Sequence, residues 1–184
     1  MSHPETLLDT AESVLEVLRE FQTDAVVIGA VALAAHHYVR FTEDLDLAMN
    51  ADQPTFRNIA EALRGKGFEV ELREPDSNDP LSGVIDVRSS DGLIQLVNFG
   101  QTFPAVITDA VKEATMQVRE ESPLRVAPLP HLVALKIYAG GLKSKADVVE
   151  LLKRNTDADL NEIRTLCEKY RLPDVQPILD EAQE

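Results

Sequence analysis

The chain has 184 residues, a formal net charge of −14 and one cysteine, Cys167. The length is typical of a single domain, the acidic balance disfavours a protein that binds long duplex nucleic acid, and one cysteine excludes an internal disulfide. No apolar run is long enough for a membrane span and the start, MSHPETLLDT, lacks a signal-peptide pattern, so we expect a cytoplasmic protein without a membrane partner.

Hydrophobic periodicity predicts that helices and strands alternate along the first two thirds of the chain. Apolar residues at helical spacing predict a first helix over residues 5–22, and a short apolar run predicts a buried strand over 24–28. The elements predicted next are a helix over 30–38, a strand over 43–49, a helix over 53–66, a strand over 68–73, a loop over 74–83, strands over 84–88 and 93–99 joined by the turn 89–92, a helix over 104–114, and short strands over 116–118 and 124–126.

From residue 128 to the end the pattern is helical. The predicted helices cover residues 129–140, 143–154, 158–170 and 173–182. This order predicts an α+β fold, in which a mixed sheet with flanking helices is closed by a C-terminal helical subdomain. We expect an α/β core with its N-terminal helix over residues 1–127 and the helical subdomain over 128–184, packed as one unit.

Two aspartates in the second predicted strand are candidate metal ligands. Asp44 and Asp46 are two positions apart, so on a strand both side chains point to the same face. Carboxylates this close repel each other unless a cation lies between them. Upstream, Gly29 ends the first predicted strand where a helix begins, and free amides at such a turn bind phosphate. The pattern predicts a divalent metal ion and a nucleotide phosphate at one site.

Two blocks of the sequence resemble the nucleotidyltransferase superfamily, the DNA polymerase beta-like fold. The first is IGAVA at 28–32 followed by RFTEDLDL at 40–47, which is similar to the family's Gly signature and its acid–hydrophobic–acid triplet. The second, HLVALKIYAGGLKSKADV at 131–148, is similar to the C-terminal Leu-x-x-x-Lys-x-x-Ala and Asp motif of AbiEii-like and minimal nucleotidyltransferases. Together with the strands between them, the resemblance covers most of residues 24–153.

The resemblance implies an enzyme that moves a nucleoside monophosphate from a nucleoside triphosphate to an acceptor hydroxyl, on an RNA end, a protein or a small molecule. Mg²⁺ or Mn²⁺ is the implied cofactor, held by Asp44 and Asp46. Several relatives are toxins of toxin–antitoxin pairs, so a cognate antitoxin is the partner expected for that role. The candidate nucleotide-binding residues are Gly29, Ala30, Thr42, Gln95, Lys136, Lys143 and Asp147.

The third carboxylate of the family's pattern is missing from its usual place. Active relatives carry Asp on a strand after an Asp-Gly turn, where this chain has Gln95, and glutamine cannot act as a base. Asp86, on the preceding strand, substitutes for it as a catalytic acid if its side chain faces the site; otherwise it is an exposed strand acid. An alternative function follows, a catalytically weakened module that binds nucleotide or protein.

Several of these residues have a second interpretation. Lys136 points at the phosphates or extends to solvent. Asp147 lines the nucleotide pocket with Lys143, or it pairs with Lys143 one helical turn away. Arg40 and Thr42 orient the carboxylates or close the turn into the strand. His36 and its neighbour in sequence are expected to pack or to lie on the surface, because adjacent helical residues face different directions.

Overall fold

The computed structural model describes residues 4–76 and 81–184. These residues form a five-stranded sheet and eight helices, so the predicted α+β class is confirmed. In chain order the elements are α1 (Pro4–Glu20), β1 (Ala25–Ile28), α2 (Gly29–Ala35), β2 (Asp44–Met49), α3 (Gln53–Gly65), β3 (Glu69–Arg73), β4 (Val84–Ser89), β5 (Gly92–Asn98), α4 (Pro104–Glu113), α5 (Leu129–Ala139), α6 (Gly141–Arg154), α7 (Leu160–Lys169) and α8 (Gln176–Gln183). None of these helices combines the length and apolarity that crossing a membrane needs.

The sheet is mixed, with strand order β1-β2-β5-β4-β3. β2 and β5 are parallel, and the other neighbouring strands are antiparallel. The register places Asp46 opposite Gln95, and Gln95 opposite Asp86. Because paired residues on adjacent strands project to the same face, these three side chains form one row across the sheet.

The opposite face of the sheet carries the apolar core. Leu45 and Leu47 alternate with the two aspartates of β2 and are fully buried, as period-two patterning predicts. On this side α1 contacts β5 and α3 contacts β3. Burial of one face therefore fixes the register that presents the acids on the other.

The C-terminal helices pack on one another and on α4. α5 contacts α4, α6 and α7, and α6 contacts α8. Cys167, on α7, is buried, and burial raises the pKa of its thiol to about 11. The domain boundary after residue 127 stays a prediction.

The structure differs from the prediction at α2 and over residues 116–126. α2 ends at Ala35 rather than at 38, because His37 adopts a left-handed backbone conformation (φ 67°) and the buried His36 ring hydrogen-bonds through Nε2 with the backbone oxygen of Ala127 at 2.9 Å. The short strands predicted over 116–118 and 124–126 are wrong. That region contributes only isolated bridges, since it turns back after a few residues. Within the loop predicted over 74–83, residues 77–80 lie outside the described part of the chain.

Candidate active site

Asp44 and Asp46 lie side by side on β2, each partly buried. Burial, together with the negative charge of Asp44, raises the pKa of Asp46 from 3.8 to about 6. The charge of Lys136 acts in the opposite direction, and that of Asp86 adds to the rise. Asp46 is therefore partly dehydrated and lies close to other acids. A bound cation would stabilise its ionised form.

The turn between β1 and α2 packs against this carboxylate. Gly29 has φ 67°, and a Cβ atom built on it would lie 1.9 Å from Asp46 Oδ2. No other residue type fits there without displacing Asp46. Ala30 follows in the first turn of α2, which no side chain caps. The structure thus brings Gly29 to Asp46, as the sequence predicts, and Ala30 is the next residue along the chain.

Thr42 closes the turn that leads into β2. Its hydroxyl donates to the backbone oxygen of Asp44 at 3.0 Å, and the Asp44 amide donates to the same hydroxyl at 3.1 Å. Of the two interpretations of Thr42, the geometry matches closure of the turn. Both bonds hold the backbone of Asp44, so Thr42 acts on the site through the position of that aspartate.

Where the sequence resemblance implies a third acid, the structure has Gln95, which lies between Asp46 and Asp86 in one row across the sheet. Gln95 Nε2 donates to Asp86 Oδ1 at 2.7 Å, and Arg73 Nη2 donates to the same oxygen at 2.9 Å. Asp86 is only 5% exposed, so the interpretation as an exposed strand acid is wrong. Both donors would have to leave Oδ1 before that atom could accept a proton. These hydrogen bonds give Asp86 a structural role, although its side chain lies on the face of the sheet that carries Asp44 and Asp46.

The acids fit a metal ion that arrives with a nucleotide. Over residues 4–76 and 81–184, no group of three or more His, Cys, Asp or Glu side chains is arranged to hold a metal ion. Mg²⁺ is commonly bound by one or two carboxylates, with substrate phosphates and water completing its octahedron. Asp44 and Asp46 match that requirement, and a permanent protein cage is not needed.

Asp147 is the centre of an ion-pair cluster, not a partner of Lys143. Asp147 is 3% exposed, and its carboxylate accepts hydrogen bonds from Arg40 Nη1 at 2.7 and 2.8 Å and from Lys136 Nζ at 2.8 Å. Tyr38 Oη also approaches it, at 3.5 Å. Lys143 is exposed, so the predicted pair with Asp147 is wrong. The sequence predicts that Arg40 orients the carboxylates or closes the turn, but it does not predict the ion pair with Asp147, because nothing local points to a residue 107 positions away.

A cavity of about 230 Å³ opens beside the acids. It is bounded by the β1–α2 turn and by α5, and most of its surface is apolar. Tyr138, which lines it, stacks on the buried Phe103 with ring centroids 4.3 Å apart and an interplanar angle of 15°. Residues that line the cavity include Ile28, Gly29, Phe99, Leu132, Leu135, Lys136, Tyr138 and Ser144.

The architecture matches solved nucleotidyltransferase structures. The antibiotic-resistance factor ANT(2'')-Ia superposes with a TM-score of 0.57 at 16% identity, covering 98% of both chains. An antigenic nucleotidyltransferase-like protein from Paracoccidioides brasiliensis gives 0.54 at 17% identity, covering 98% of this chain and 94% of that one. ANT(2'')-Ia in complex with adenylyl-2''-tobramycin gives 0.53 at 15% identity, covering 90% and 97%.

These similarities show that the chain has the nucleotidyltransferase fold, the fold that the sequence resemblance implies. No protein-family model and no curated protein matches the sequence. The AbiEii-like branch and the roles of individual residues therefore stay predictions.

Proposed function

We propose that the protein is a nucleotidyltransferase that uses Mg²⁺ to transfer a nucleoside monophosphate from a nucleoside triphosphate to an acceptor hydroxyl. One observation carries the proposal. The Gly29 turn that packs against Asp46 also lines the apolar cavity, and Lys136 is another of the residues that line it. Places for a metal ion, for phosphates and for a nucleoside are therefore contiguous.

Each part of a nucleotide finds a matching group. The cavity suits a nucleobase, which would stack on the ring of Tyr138, itself backed by Phe103. The Lys136 ammonium, at the cavity wall, suits the triphosphate, as do the uncapped amides near Gly29 and Ala30. Because few polar groups line the cavity, we expect weak discrimination among the four bases.

Catalysis would rest on positioning and on charge. Asp44 and Asp46 would hold Mg²⁺ or Mn²⁺, which when bound neutralises phosphate charge and makes an acceptor hydroxyl more acidic. The acceptor oxygen forms a bond to the α-phosphorus, the bond to the bridging oxygen breaks, pyrophosphate leaves, and the hydroxyl proton is lost to solvent. Thr42 fixes the backbone of Asp44, and Lys136 orients the phosphates for in-line transfer.

The charge of the protein bears on the acceptor. A net charge of −14 repels a long nucleic acid backbone, which favours a small molecule, a protein or a short RNA end. A solved structure of the structural neighbour ANT(2'')-Ia contains adenylyl-2''-tobramycin. A small hydroxylated molecule is therefore included among the acceptors to be tested.

The experiment is transfer of label from each α-³²P nucleoside triphosphate, with Mg²⁺, to total RNA, to the protein itself and to tobramycin. We expect transfer to one acceptor class, abolished in Asp46→Asn. Asp157→Asn, an exposed acid on the α6–α7 loop, is the matched control and should keep full activity. Equal transfer by Asp46→Asn would reject the proposal.

The engaged state of Asp86 favours a second candidate, a module that binds nucleotide without transferring it. Asp86 is held by Gln95 and Arg73, so no unpaired third acid stands in the row. Tight, Mg²⁺-dependent nucleotide binding with no label transfer to any acceptor would favour this alternative over the enzyme.

The toxin role rests on the sequence resemblance alone. It predicts that expression of the chain arrests growth, that Asp46→Asn does not, and that the product of a neighbouring gene relieves the arrest. A cognate antitoxin is the partner that this experiment would identify.

A further inference from the structure

The cluster around Asp147 joins three separate parts of the chain. Asp147 belongs to α6 and Lys136 to α5, whereas Arg40 belongs to the segment between α2 and β2. We call residues 36–43 the crossing segment, since they lead from the end of α2 to Asp44. A buried carboxylate with two cationic donors is a strong constraint, because removing one partner leaves a charge uncompensated.

The crossing segment is fastened to α6 at further points. Asn155 Nδ2 donates to the backbone oxygen of His36 at 2.7 Å, and the Arg154 guanidinium lies 4.9 Å from the centroid of the Tyr38 ring. Arg40 Nη1 then donates to both carboxylate oxygens of Asp147. Further along the same segment, the Thr42 hydroxyl accepts a hydrogen bond from the Asp44 amide and so holds the backbone of Asp44. The position of Asp44 therefore depends on how the segment is tied to α6.

Asp147 also sets the direction of Lys136. An ammonium group has three protons, and the described structure uses one of them for Asp147 Oδ2. The lysine side chain reaches the cavity wall from α5, and its charge acts on Asp46. Without an anionic anchor the flexible lysine stem would sample other rotamers.

We propose that Asp147 is a positioning residue for the nucleotide site. It does not touch the nucleotide; it holds the Lys136 ammonium at the cavity wall and, through Arg40, holds the crossing segment that delivers Asp44. The role rests on the proposed function. It replaces the expectation that Asp147 itself lines the nucleotide pocket: Ser144 is the residue of α6 that lines the cavity.

The test compares Asp147→Asn with Asp109→Asn. Asp109 is a matched control because it also binds a lysine and a tyrosine hydroxyl, Lys169 at 2.7 Å and Tyr170 at 2.5 Å, among the helices α4 and α7. Two measurements are made: hydrogen exchange of the crossing segment in nucleotide-free protein, and affinities for ATP with Mg²⁺ and for adenosine.

Asp147→Asn should accelerate exchange over residues 36–43. It should weaken ATP binding by about ten-fold or more, the effect of losing one charge-assisted hydrogen bond to phosphate. Adenosine, which has no phosphates, should lose less than about two-fold in affinity. Asp109→Asn should change none of the three. General damage to the fold would weaken ATP and adenosine alike, and that result would overturn the role.

The outcomes separate this role from the proposed function. If the wild type binds ATP and Asp147→Asn binds it equally well, only the positioning role is wrong. If the wild type binds no nucleotide, the proposed function fails, and the positioning role fails with it. Should Asp147→Asn not fold, Arg40→Gln leaves Asp147 paired with Lys136 and must still accelerate exchange over the crossing segment. Unchanged exchange in that variant would overturn the role.

Discussion

The backbone of Gly29 and the carboxylate of Asp46 occupy adjoining space, so that a Cβ atom on Gly29 would lie 1.9 Å from Asp46 Oδ2. The glycine and the acid of the first sequence block thus meet at the end of β1. The close approach explains why a side chain is absent at position 29. It also leaves the amides of the turn near the acids, where a metal-bound phosphate would be held.

Gly29→Ala is expected to damage the site more than the fold. A positive φ costs an alanine about 1–2 kcal/mol, and the added Cβ forces the Asp46 carboxylate aside. We expect unfolding by urea at lower concentration and ATP binding weakened by about ten-fold or more. Gly67→Ala is the control, because Gly67 also has positive φ (92°) but nothing lies within 4 Å of its added Cβ. Equal nucleotide affinity in the two variants would contradict the role of the contact.

Asp46→Asn should stabilise the protein near neutral pH. Burial and Asp44 raise the pKa of Asp46 from 3.8 to about 6, so the folded state holds this proton more tightly than the unfolded state. The wild type therefore loses stability, relative to the variant, as pH rises from the unfolded value through the folded one. We expect a gain of about 1–3 kcal/mol above pH 7 and almost none near pH 4.

Urea denaturation of both proteins across this pH range measures the gain. Asp157→Asn removes an exposed acid and should show no such pH dependence. A destabilised Asp46→Asn, or a gain that stays constant with pH, would show that Asp46 is not strained by its surroundings.

Replacement of Lys136 by Met and replacement of Lys143 by Met should have very different effects on the affinity for ATP. Lys136 lies at the cavity wall and binds Asp147, whereas Lys143 is exposed. Lys136→Met is expected to weaken ATP binding by about ten-fold or more and to leave adenosine affinity nearly unchanged. Lys143→Met should stay within about two-fold of the wild type for both ligands. Calorimetric titration decides the matter, and a larger loss in Lys143→Met would restore the sequence-based role of Lys143.

Tyr138→Leu should weaken nucleoside binding without altering the need for metal. The Tyr138 ring stacks on Phe103 and lines the cavity, and an aromatic pair contributes about 0.5–1.5 kcal/mol beyond its buried area. We expect ATP and adenosine to lose affinity in parallel, by about three- to ten-fold. Tyr138→Phe keeps the ring and should retain the affinity. If Tyr138→Leu weakened the binding of ATP but not of adenosine, the base would bind elsewhere.

The sequence predicts the parts of the site that depend on local patterns. Period-two alternation puts Asp44 and Asp46 opposite Leu45 and Leu47, and the glycine predicts the turn. Both follow from backbone geometry that a few neighbouring residues determine. The mixed sheet and the succession of helices follow from hydrophobic periodicity in the same way.

The rest of the site depends on contacts between distant residues. Arg40 reaches Asp147 across 107 positions, and the cavity is assembled from β1, α5 and α6, which no local pattern encodes. Whether Asp86 is exposed depends on strand register and on Arg73. The early end of α2 depends on His37, a non-glycine residue in a left-handed conformation that propensity does not favour.

Calorimetric titration of the wild type and of Asp46→Asn with ATP, each with Mg²⁺ and with EDTA, tests the central claim most directly. Two adjacent carboxylates repel a triphosphate unless a divalent cation joins them. We predict that the wild type binds ATP at least about ten-fold more tightly with Mg²⁺ than without it, and that Asp46→Asn loses this difference. Equal binding by the wild type in Mg²⁺ and in EDTA, or an undiminished Mg²⁺ effect in Asp46→Asn, would contradict the claim.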